Sequence, residues 1–304
     1  MTSPRSSDDR ALLISTWTSA AFGVTAVGWG LLAGSQLIVF DGLYSFASVG
    51  LSFLAVLALR TARKGPDERY PWGREVWEPL TVVVKAAALG ALSVYALVGG
   101  IVDVLAGGRD VEVGWALVYG ILATLAGVGV TLVLRRRSRL GASDLVRAEA
   151  AEWAGDTLLS VGVLAGFVVA VVLVRAGRPD LARFVDPVMV VVVSAAFLPV
   201  PARLMRSALR EVLTMSAPAA LREPIVSVVR AVGSEHGLEE SFVRVSKVGG
   251  RVDVDIGFVV GDGAKATTVH DFDAIRVELE RRFAALGRST SMSVAFSADR
   301  RWVQ

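Results

Sequence analysis

Four acidic residues and one basic residue interrupt apolar segments of this chain. The acidic residues are Asp41, Glu149, Glu152 and Asp156. A carboxylate at the centre of a bilayer costs about 2.5–3.5 kcal/mol even on insertion scales. Asp41 and Asp156 have no Lys or Arg within one helical turn, which favours a functional role. Two interpretations stay open for Lys85, which either extends its amine to the interface or pairs with one of the carboxylates.

The spacing of the acidic residues predicts that they meet near the middle of a membrane. Ser45 follows Asp41 by four residues, and Asp156 follows Glu152 by four, so each pair lies on one helix face. At about 1.5 Å per residue, Asp156 lies about 16 Å and Ser45 about 17 Å from the inner face. Antiparallel packing would place Asp41 near Asp156 and Ser45 near Glu152. Three carboxylates in a low dielectric need a cation or protons to balance them, which predicts a proton-coupled divalent-cation site.

The elements that position these residues are six apolar runs long enough to cross a bilayer. The first run has 22 residues, more than the roughly 7–15 of a signal-peptide core and close to the ~20 of a membrane span. The predicted spans are Ala11–Leu32, Leu37–Leu59, Leu80–Leu105, Val113–Leu134, Leu145–Val174 and Phe184–Leu204. They form a predicted transmembrane domain over residues 11–210, preceded by a cytoplasmic tail over residues 1–10.

The distribution of Lys and Arg predicts that both chain ends lie in the cytoplasm. With the N-terminus inside, fifteen Lys and Arg residues flank the inner ends of the spans and four flank the outer ends. Cytoplasmic flanks carry the basic excess in membrane proteins. We therefore expect a multi-pass membrane protein surrounded by lipid, most consistent with a bacterial inner membrane.

Composition excludes several other classes. The chain has 304 residues, of which 53% are hydrophobic and 20% charged, with a mean hydropathy of +0.56. These values exclude intrinsic disorder and disfavour an ordinary cytosolic enzyme. The net charge is +3. Its basic residues lie beside apolar segments, which indicates membrane topology and not nucleic-acid binding. The absence of cysteine excludes disulfides, thiolate metal ligands and a cysteine nucleophile. We found no enzyme motif and predict no resident cofactor.

The last third of the chain is less apolar and predicts a small mixed domain over residues 211–304. Ser216 is a candidate N-cap for a first helix, whose apolar residues recur at helical spacing through Val232. Alternating strands follow on both sides of Gly249-Gly250, a hairpin signal. A second helix over Val269–Leu286 precedes a last strand. The predicted fold class is an α-helical membrane protein with six transmembrane helices plus a small C-terminal α+β, ferredoxin-like (αββαβ) cytoplasmic domain.

The motifs and topology together resemble the cation diffusion facilitator family of divalent metal transporters. The segment from Asp41 to Ser45 is similar to the family's Asp-x-x-x-Asp in span two, and Glu152 to Asp156 is similar to its His/Asp-x-x-x-Asp in span five. Asp186-Pro187 resembles the Asp-Pro that often opens span six. The resemblance covers nearly the whole chain. It implies metal efflux by proton antiport in a homodimer, with the cytoplasmic domain forming the dimer contact.

Departures from the family pattern bear on which metal is carried. Ser45 stands in place of the second Asp, and Glu152 in place of His or Asp. The predicted ligand set is therefore Asp41, Ser45, Glu152 and Asp156, with oxygen donors alone. Zinc sites favour nitrogen and sulfur, whereas oxygen sites suit harder ions. The set favours Mn²⁺, Fe²⁺ or Co²⁺ over Zn²⁺, with Mg²⁺ also compatible.

A further departure concerns histidine. The loop Tyr70-Pro71-Trp72-Gly73-Arg74 occupies the place where many members have His-x-Phe-Gly-His, so we expect no secondary metal site there. His236 and His270 are the chain's two histidines. Each is more typical of a solvated residue than of a ligand.

The replacements at Ser45 and Glu152 leave an alternative open. A family member that no longer transports could act as a dimeric membrane scaffold or as the partner of a heterodimer. The retained acidic residues argue against this, because a dead site gains stability by losing buried charge. A carrier for an organic cation would be expected to surround its carboxylates with aromatic residues.

Overall fold

The computed structural model describes the backbone of residues 4–62, 64–139, 144–286 and 290–304. It describes the side chains of residues 17–51, 53–62, 64–136, 153–286 and 290–304. These residues divide into two compact units. The first comprises Met1–Phe53 with Lys85–Arg203, and the second comprises Leu54–Val84 with Leu204–Gln304.

Helices, most of them apolar, make up most of the first two thirds of the chain. They are α1 (Pro4–Ala33), α2 (Gln36–Ala62), α3 (Trp77–Leu105), α4 (Val113–Arg139), α5 (Asp144–Arg175), the short α6 (Pro179–Ala182), α7 (Val185–Phe197) and α8 (Pro199–Val212). Among the described residues, five helical stretches are long and apolar enough to cross a membrane, and α1 adds the shorter apolar stretch Trp17–Ala33. Five to six such helices therefore stand where six spans are predicted.

The junction between α1 and α2 is a tight turn. Gly34 adopts a φ of +70°, a conformation that glycine takes without a steric penalty. Ser35 then caps α2, because its Oγ accepts a hydrogen bond from the N–H of Ile38 at 3.2 Å. A polar residue in this position satisfies one of the free N–H groups at a helix start.

The predicted sixth span is divided by proline. The span was expected as one helix over Phe184–Leu204, but α7 ends at Phe197 and α8 begins at Pro199. Proline has no N–H and interrupts the helical hydrogen-bond ladder. The backbone at Leu198 stays close to helical geometry, so the apolar stretch continues past the interruption.

The C-terminal region has the predicted order of elements. Helix α9 (Ala219–Glu235) is followed by β1 (Glu240–Val248), β2 (Arg251–Val259), α10 (Val269–Ala284), β3 (Thr290–Ser297) and a 3₁₀ turn at Arg300–Trp302. The sheet order is β1-β2-β3, with β1 antiparallel to β2 and β2 parallel to β3. Val248 pairs with Arg251 across the hairpin, and Gly249 there has a φ of +58°. The three strands and two helices are as predicted, whereas the likeness to a ferredoxin stays a prediction.

The helices α9 and α10 supply the core of this region against the sheet. Ile225, Val229, Ile275, Leu279 and Phe283 are all fully buried, together with Ile256 and Phe258 of β2. Their helical and alternating spacings are those that predicted the elements.

The prediction that Ser216 caps this first helix is wrong. The N-cap position belongs to Pro218, which supplies no side-chain hydrogen bond. Ser216 instead forms a bridge with Ser246 of β1, and the N–H of Ala217 donates to the carbonyl of Val245 at 2.8 Å. The extended backbone is held by strand pairing, so the helix begins later.

Candidate functional site

Asp41 lies in the second turn of α2 and is half-buried. Its Oδ2 accepts a hydrogen bond from the hydroxyl of Tyr119 in α4 at 2.8 Å. The Tyr119 side chain is only 4% exposed. A buried tyrosine hydroxyl requires a partner, and here that partner is the carboxylate predicted to bind the metal.

The ring of Tyr119 is held by aromatic residues of α1. Its centroid lies 6.1 Å from that of Phe22 and 6.4 Å from that of Trp29. Trp29 is fixed in turn, because its Nε1–H donates to the carbonyl of Trp115 at 2.9 Å. The hydroxyl that contacts Asp41 is therefore part of an ordered cluster between α1 and α4.

Gly42 sets the distance between α2 and α1 beside the candidate site. A Cβ added at Gly42 would lie 2.7 Å from the backbone N of Val27 and 2.8 Å from the carbonyl of Gly23. Such contacts are too short for any side chain, so glycine permits the close approach of the two helices. Other glycines of α2 and α5 lack such neighbours, because Gly50, Gly155 and Gly162 have no atom within 4 Å of an added Cβ.

Ser45 lies one turn beyond Asp41 in α2 and is half-buried. The preceding residue, Tyr44, packs edge-to-face on Phe197 of α7 with a centroid distance of 5.0 Å. This contact places Tyr44 toward α7. Aromatic residues therefore lie near Asp41, as an organic-cation pocket would require, but this ring pair belongs to interhelical packing.

The second half of the predicted site lies on α5. Asp156 is exposed on this helix, and the side chain of Glu152 lies outside the described residues. Thr157 fixes the rotation of α5 against α4, because its Oγ1 is 3.0 Å from that of Thr131. Its Oγ1 also donates to the carbonyl of Trp153 at 2.7 Å.

The meeting of α2 and α5 carboxylates stays a prediction. Among the side chains that the structure describes, no three His, Cys, Asp or Glu residues are grouped closely enough to hold a metal ion. In the predicted set, the side chain of Glu152 lies outside the described residues, and Ser45 is not one of these four residue types. That finding therefore leaves the set untested. Lys85, whose role was left open, is half-buried in α3.

A further carboxylate, Asp186, anchors the beginning of α2. It is 2% exposed, and its Oδ1 accepts a hydrogen bond from Ser35 Oγ at 2.5 Å. Its Oδ2 accepts another from the backbone N–H of Gln36 at 3.0 Å. A negative charge at a helix N-terminus is stabilised by the free N–H groups and the helix dipole. Asp186 therefore joins α7 to α2.

The loop after α2 is held by an ion pair in the second unit. The Arg74 guanidinium bonds the Asp67 carboxylate and lies over the Tyr70 ring at 4.3 Å from its centroid. Hydrogen bonds from Arg74 and from the backbone of Tyr70 hold the pKa of Asp67 below its usual range. Arg74 thus stands as a bound cation where the family pattern has a histidine.

The two histidines lie in or beside helices of the C-terminal region. His236 Nε2 is 3.0 Å from Glu278 Oε2, and Arg282 pairs with both Glu278 and Glu235. The hydrogen bond from His236, with Arg282 adding to it, lowers the pKa of Glu278. His270 is exposed in the first turn of α10. His236 is therefore part of an ion-pair cluster, as a structural residue would be.

Tyr119 is the residue that sequence reasoning missed. The available signal was a hydroxyl in the middle of an apolar span, which must find a partner when buried. The sequence offers no means of choosing that partner, because Asp41 and Tyr119 are 78 positions apart.

Known proteins match the helical region of the chain. The model of the cation efflux transmembrane domain matches residues 12–213. Zinc transporter ZitB of Escherichia coli (strain K12) is 26% identical over 210 residues, which are 69% of this chain and 64% of that protein. ZitB of Yersinia pestis is 28% identical over 207 residues, 68% of this chain and 64% of its own. Magnetosome protein MamB of Magnetospira sp. (strain QH-2) is 27% identical over 146 residues, 47% of this chain and 49% of that protein. The matched part of this chain therefore spans less than two thirds of these relatives.

Proposed function

Since the chain belongs to the cation efflux family, we propose that it carries divalent metal cations out of the cytoplasm in exchange for protons. The observation that carries this proposal is Asp41, a half-buried carboxylate inside an apolar helix that is matched by the family model. A carboxylate is retained at such a position when function requires it. The family is one of transporters, which supports the expectation that the protein is not an enzyme.

The metal site in this proposal comprises Asp41 and Ser45 of α2 with Glu152 and Asp156 of α5. The carboxylates bind the cation on one side of the membrane and take up protons when it leaves on the other. This exchange keeps the site close to neutral, which a low-dielectric interior demands. Alternating access would follow from movement of α2 and α5 against the other helices.

The ligand chemistry supports a preference for Mn²⁺, Fe²⁺ or Co²⁺ over Zn²⁺. All four proposed ligands offer oxygen, and oxygen donors suit harder cations than nitrogen or sulfur do. The name of ZitB states zinc, so the preference is a point on which this chain would differ from that relative. Carboxylates also bind Zn²⁺, which keeps zinc among the ions to be tested.

The proposal includes a homodimer in a bacterial inner membrane with both termini in the cytoplasm. The basic residues at the inner ends of the helices support this orientation. The strands and helices of residues 211–304 are the part proposed to form the dimer contact. A small domain with its own buried core is suited to this task.

The test is metal uptake into vesicles that contain the purified protein, under an imposed pH gradient. Mn²⁺, Fe²⁺, Co²⁺, Zn²⁺ and Mg²⁺ are compared for the wild type, Asp156→Ala and Asp180→Ala. Asp180 is a matched control, because its side chain is 67% exposed in the short helix α6. We expect proton-driven uptake that Asp156→Ala abolishes and Asp180→Ala retains. If a folded, dimeric protein moves none of the five ions, the transport proposal fails in favour of a dimeric scaffold.

A further inference from the structure

The Tyr119 hydroxyl contacts the candidate metal site from a helix that supplies none of the proposed ligands. Its hydrogen bond to Asp41 Oδ2 is 2.8 Å long. Tyr119 lies in α4, whereas the four proposed ligands lie in α2 and α5. The contact makes α4 part of the surroundings of the metal.

Packing holds this hydroxyl in place. Phe22 and Trp29 pack against the Tyr119 ring from α1, and the side chain is almost completely buried. A ring held in this way cannot follow a rotating carboxylate without disturbing its neighbours. Tyr119 therefore holds Asp41 in one orientation.

The hydrogen bond also makes the two Asp41 oxygens unequal. Oδ2 accepts from Tyr119, and within the described residues Oδ1 accepts no hydrogen bond. A carboxylate held in this way offers Oδ1 more readily than Oδ2, because one lone pair of Oδ2 is already engaged. Small divalent transition-metal ions accept single-oxygen coordination at about 2.0–2.2 Å, whereas Ca²⁺ often takes both oxygens of a carboxylate at about 2.3–2.6 Å.

We infer that Tyr119 is a positioning residue that favours one-oxygen coordination by Asp41 and thereby selects smaller transition-metal ions against Ca²⁺. The inference rests on the proposed function, because it requires Asp41 to bind the transported metal. Outer hydrogen-bond partners of metal ligands commonly orient those ligands, and removing one typically costs about 10- to 100-fold in metal affinity.

The test compares Tyr119→Phe with the matched control Tyr95→Phe in the full-length protein. Tyr95 is 73% exposed on α3, so the control removes a hydroxyl that lies away from the site. Binding of Mn²⁺ alone and of Ca²⁺ alone is measured by calorimetry in detergent, and Mn²⁺ uptake is measured in vesicles. We expect Tyr119→Phe to weaken Mn²⁺ binding by about 10- to 100-fold and to raise the KM for uptake while the maximal rate is retained. Ca²⁺ should then compete with Mn²⁺ in Tyr119→Phe and not in the wild type or Tyr95→Phe.

A double-substitution cycle separates positioning from a general structural role. In an Asp41→Asn background, Tyr119→Phe should cause no further change in residual Mn²⁺ affinity, because the contact on which it acts is already altered. A second variant, Phe22→Leu, keeps the hydroxyl but loosens the ring, and it should weaken Mn²⁺ binding less than Tyr119→Phe. The thermal unfolding midpoint of each variant checks its fold.

The outcomes distinguish this inference from the proposed function. If Asp41→Asn strongly weakens Mn²⁺ binding while Tyr119→Phe and Phe22→Leu bind Mn²⁺ and exclude Ca²⁺ as the wild type does, the role of Tyr119 is overturned and the metal site stands. If Asp41→Asn itself binds and transports like the wild type, the proposed site fails, and the inference fails with it.

Discussion

Asp41 lies within α2, whereas Asp186 lies in α7 and contacts the start of α2, and the surroundings of the two carboxylates differ. Asp186 is almost fully buried and accepts hydrogen bonds on both oxygens at the start of the helix. Asp41 is half-buried within the helix and, in the described part of the chain, accepts one hydrogen bond on one oxygen. A carboxylate that accepts hydrogen bonds on both oxygens is suited to anchoring, whereas one that accepts a single bond keeps more capacity for a cation. The number of hydrogen bonds that each carboxylate accepts therefore distinguishes a structural acid from a candidate metal ligand.

The largest expected effect is the loss of transport in Asp41→Asn. Neutralising this carboxylate removes a charged ligand, so proton-driven metal uptake should fall to the level of protein-free vesicles. The thermal unfolding midpoint should stay the same or rise, because a charge inside an apolar helix is removed. Transport at the wild-type rate would contradict the assignment of Asp41 as the ligand carboxylate.

Asp186→Ala, in contrast, should lower the stability of the protein. The hydroxyl of Ser35 and the N–H of Gln36 would lose their acceptor, and each buried unsatisfied donor costs about 1–3 kcal/mol. We expect a loss of about 2–6 kcal/mol in the free energy of unfolding in detergent, with Asp180→Ala as the unaffected control. A stable Asp186→Ala protein that no longer binds metal would instead place Asp186 in the metal site.

Gly42→Ala tests whether the close approach of α1 to α2 beside Asp41 contributes to stability. The added methyl would meet backbone atoms of α1 at 2.7–2.8 Å, and overpacking of this kind costs about 1–3 kcal/mol. Gly50→Ala in the same helix is the matched control, since its methyl would enter open space and should leave stability unchanged or slightly higher. Equal unfolding midpoints for the two variants would show that α1 and α2 can separate without cost.

The smallest effect concerns a carboxylate outside the membrane helices. The pKa of Glu278 is lowered from 4.5, first by the hydrogen bond from His236 and then by Arg282. The folded state therefore binds fewer protons than the unfolded state, so this stabilisation is present above pH 4.5 and is lost as the pH falls through the lowered value. His236→Gln should reduce the acid sensitivity of amide protection in α10, measured by hydrogen exchange in the full-length protein. An unchanged pH profile would show that solvent screening removes the contribution of this pair.

Much of the fold follows from local patterns in the sequence. The apolar runs predict the long helices, because whether a segment can enter a membrane depends on the length and composition of that segment. The alternation around Gly249 predicts the hairpin because that turn needs glycine conformations. Ser216 shows the limit of such reasoning, since its strand bridge to Ser246 overrides a plausible local capping signal.

The sequence by itself determined that Asp41 and Asp156 are exceptional, because the cost of a charge in an apolar segment is a property of that segment. Only the tertiary structure decided that Tyr119 holds Asp41 and that Ser35 and Gln36 hold Asp186. These partners come from other helices, 78 to 151 positions away. Hydrogen bonds act over about 3 Å in space, so they depend on how the helices pack and not on how the residues are spaced along the chain.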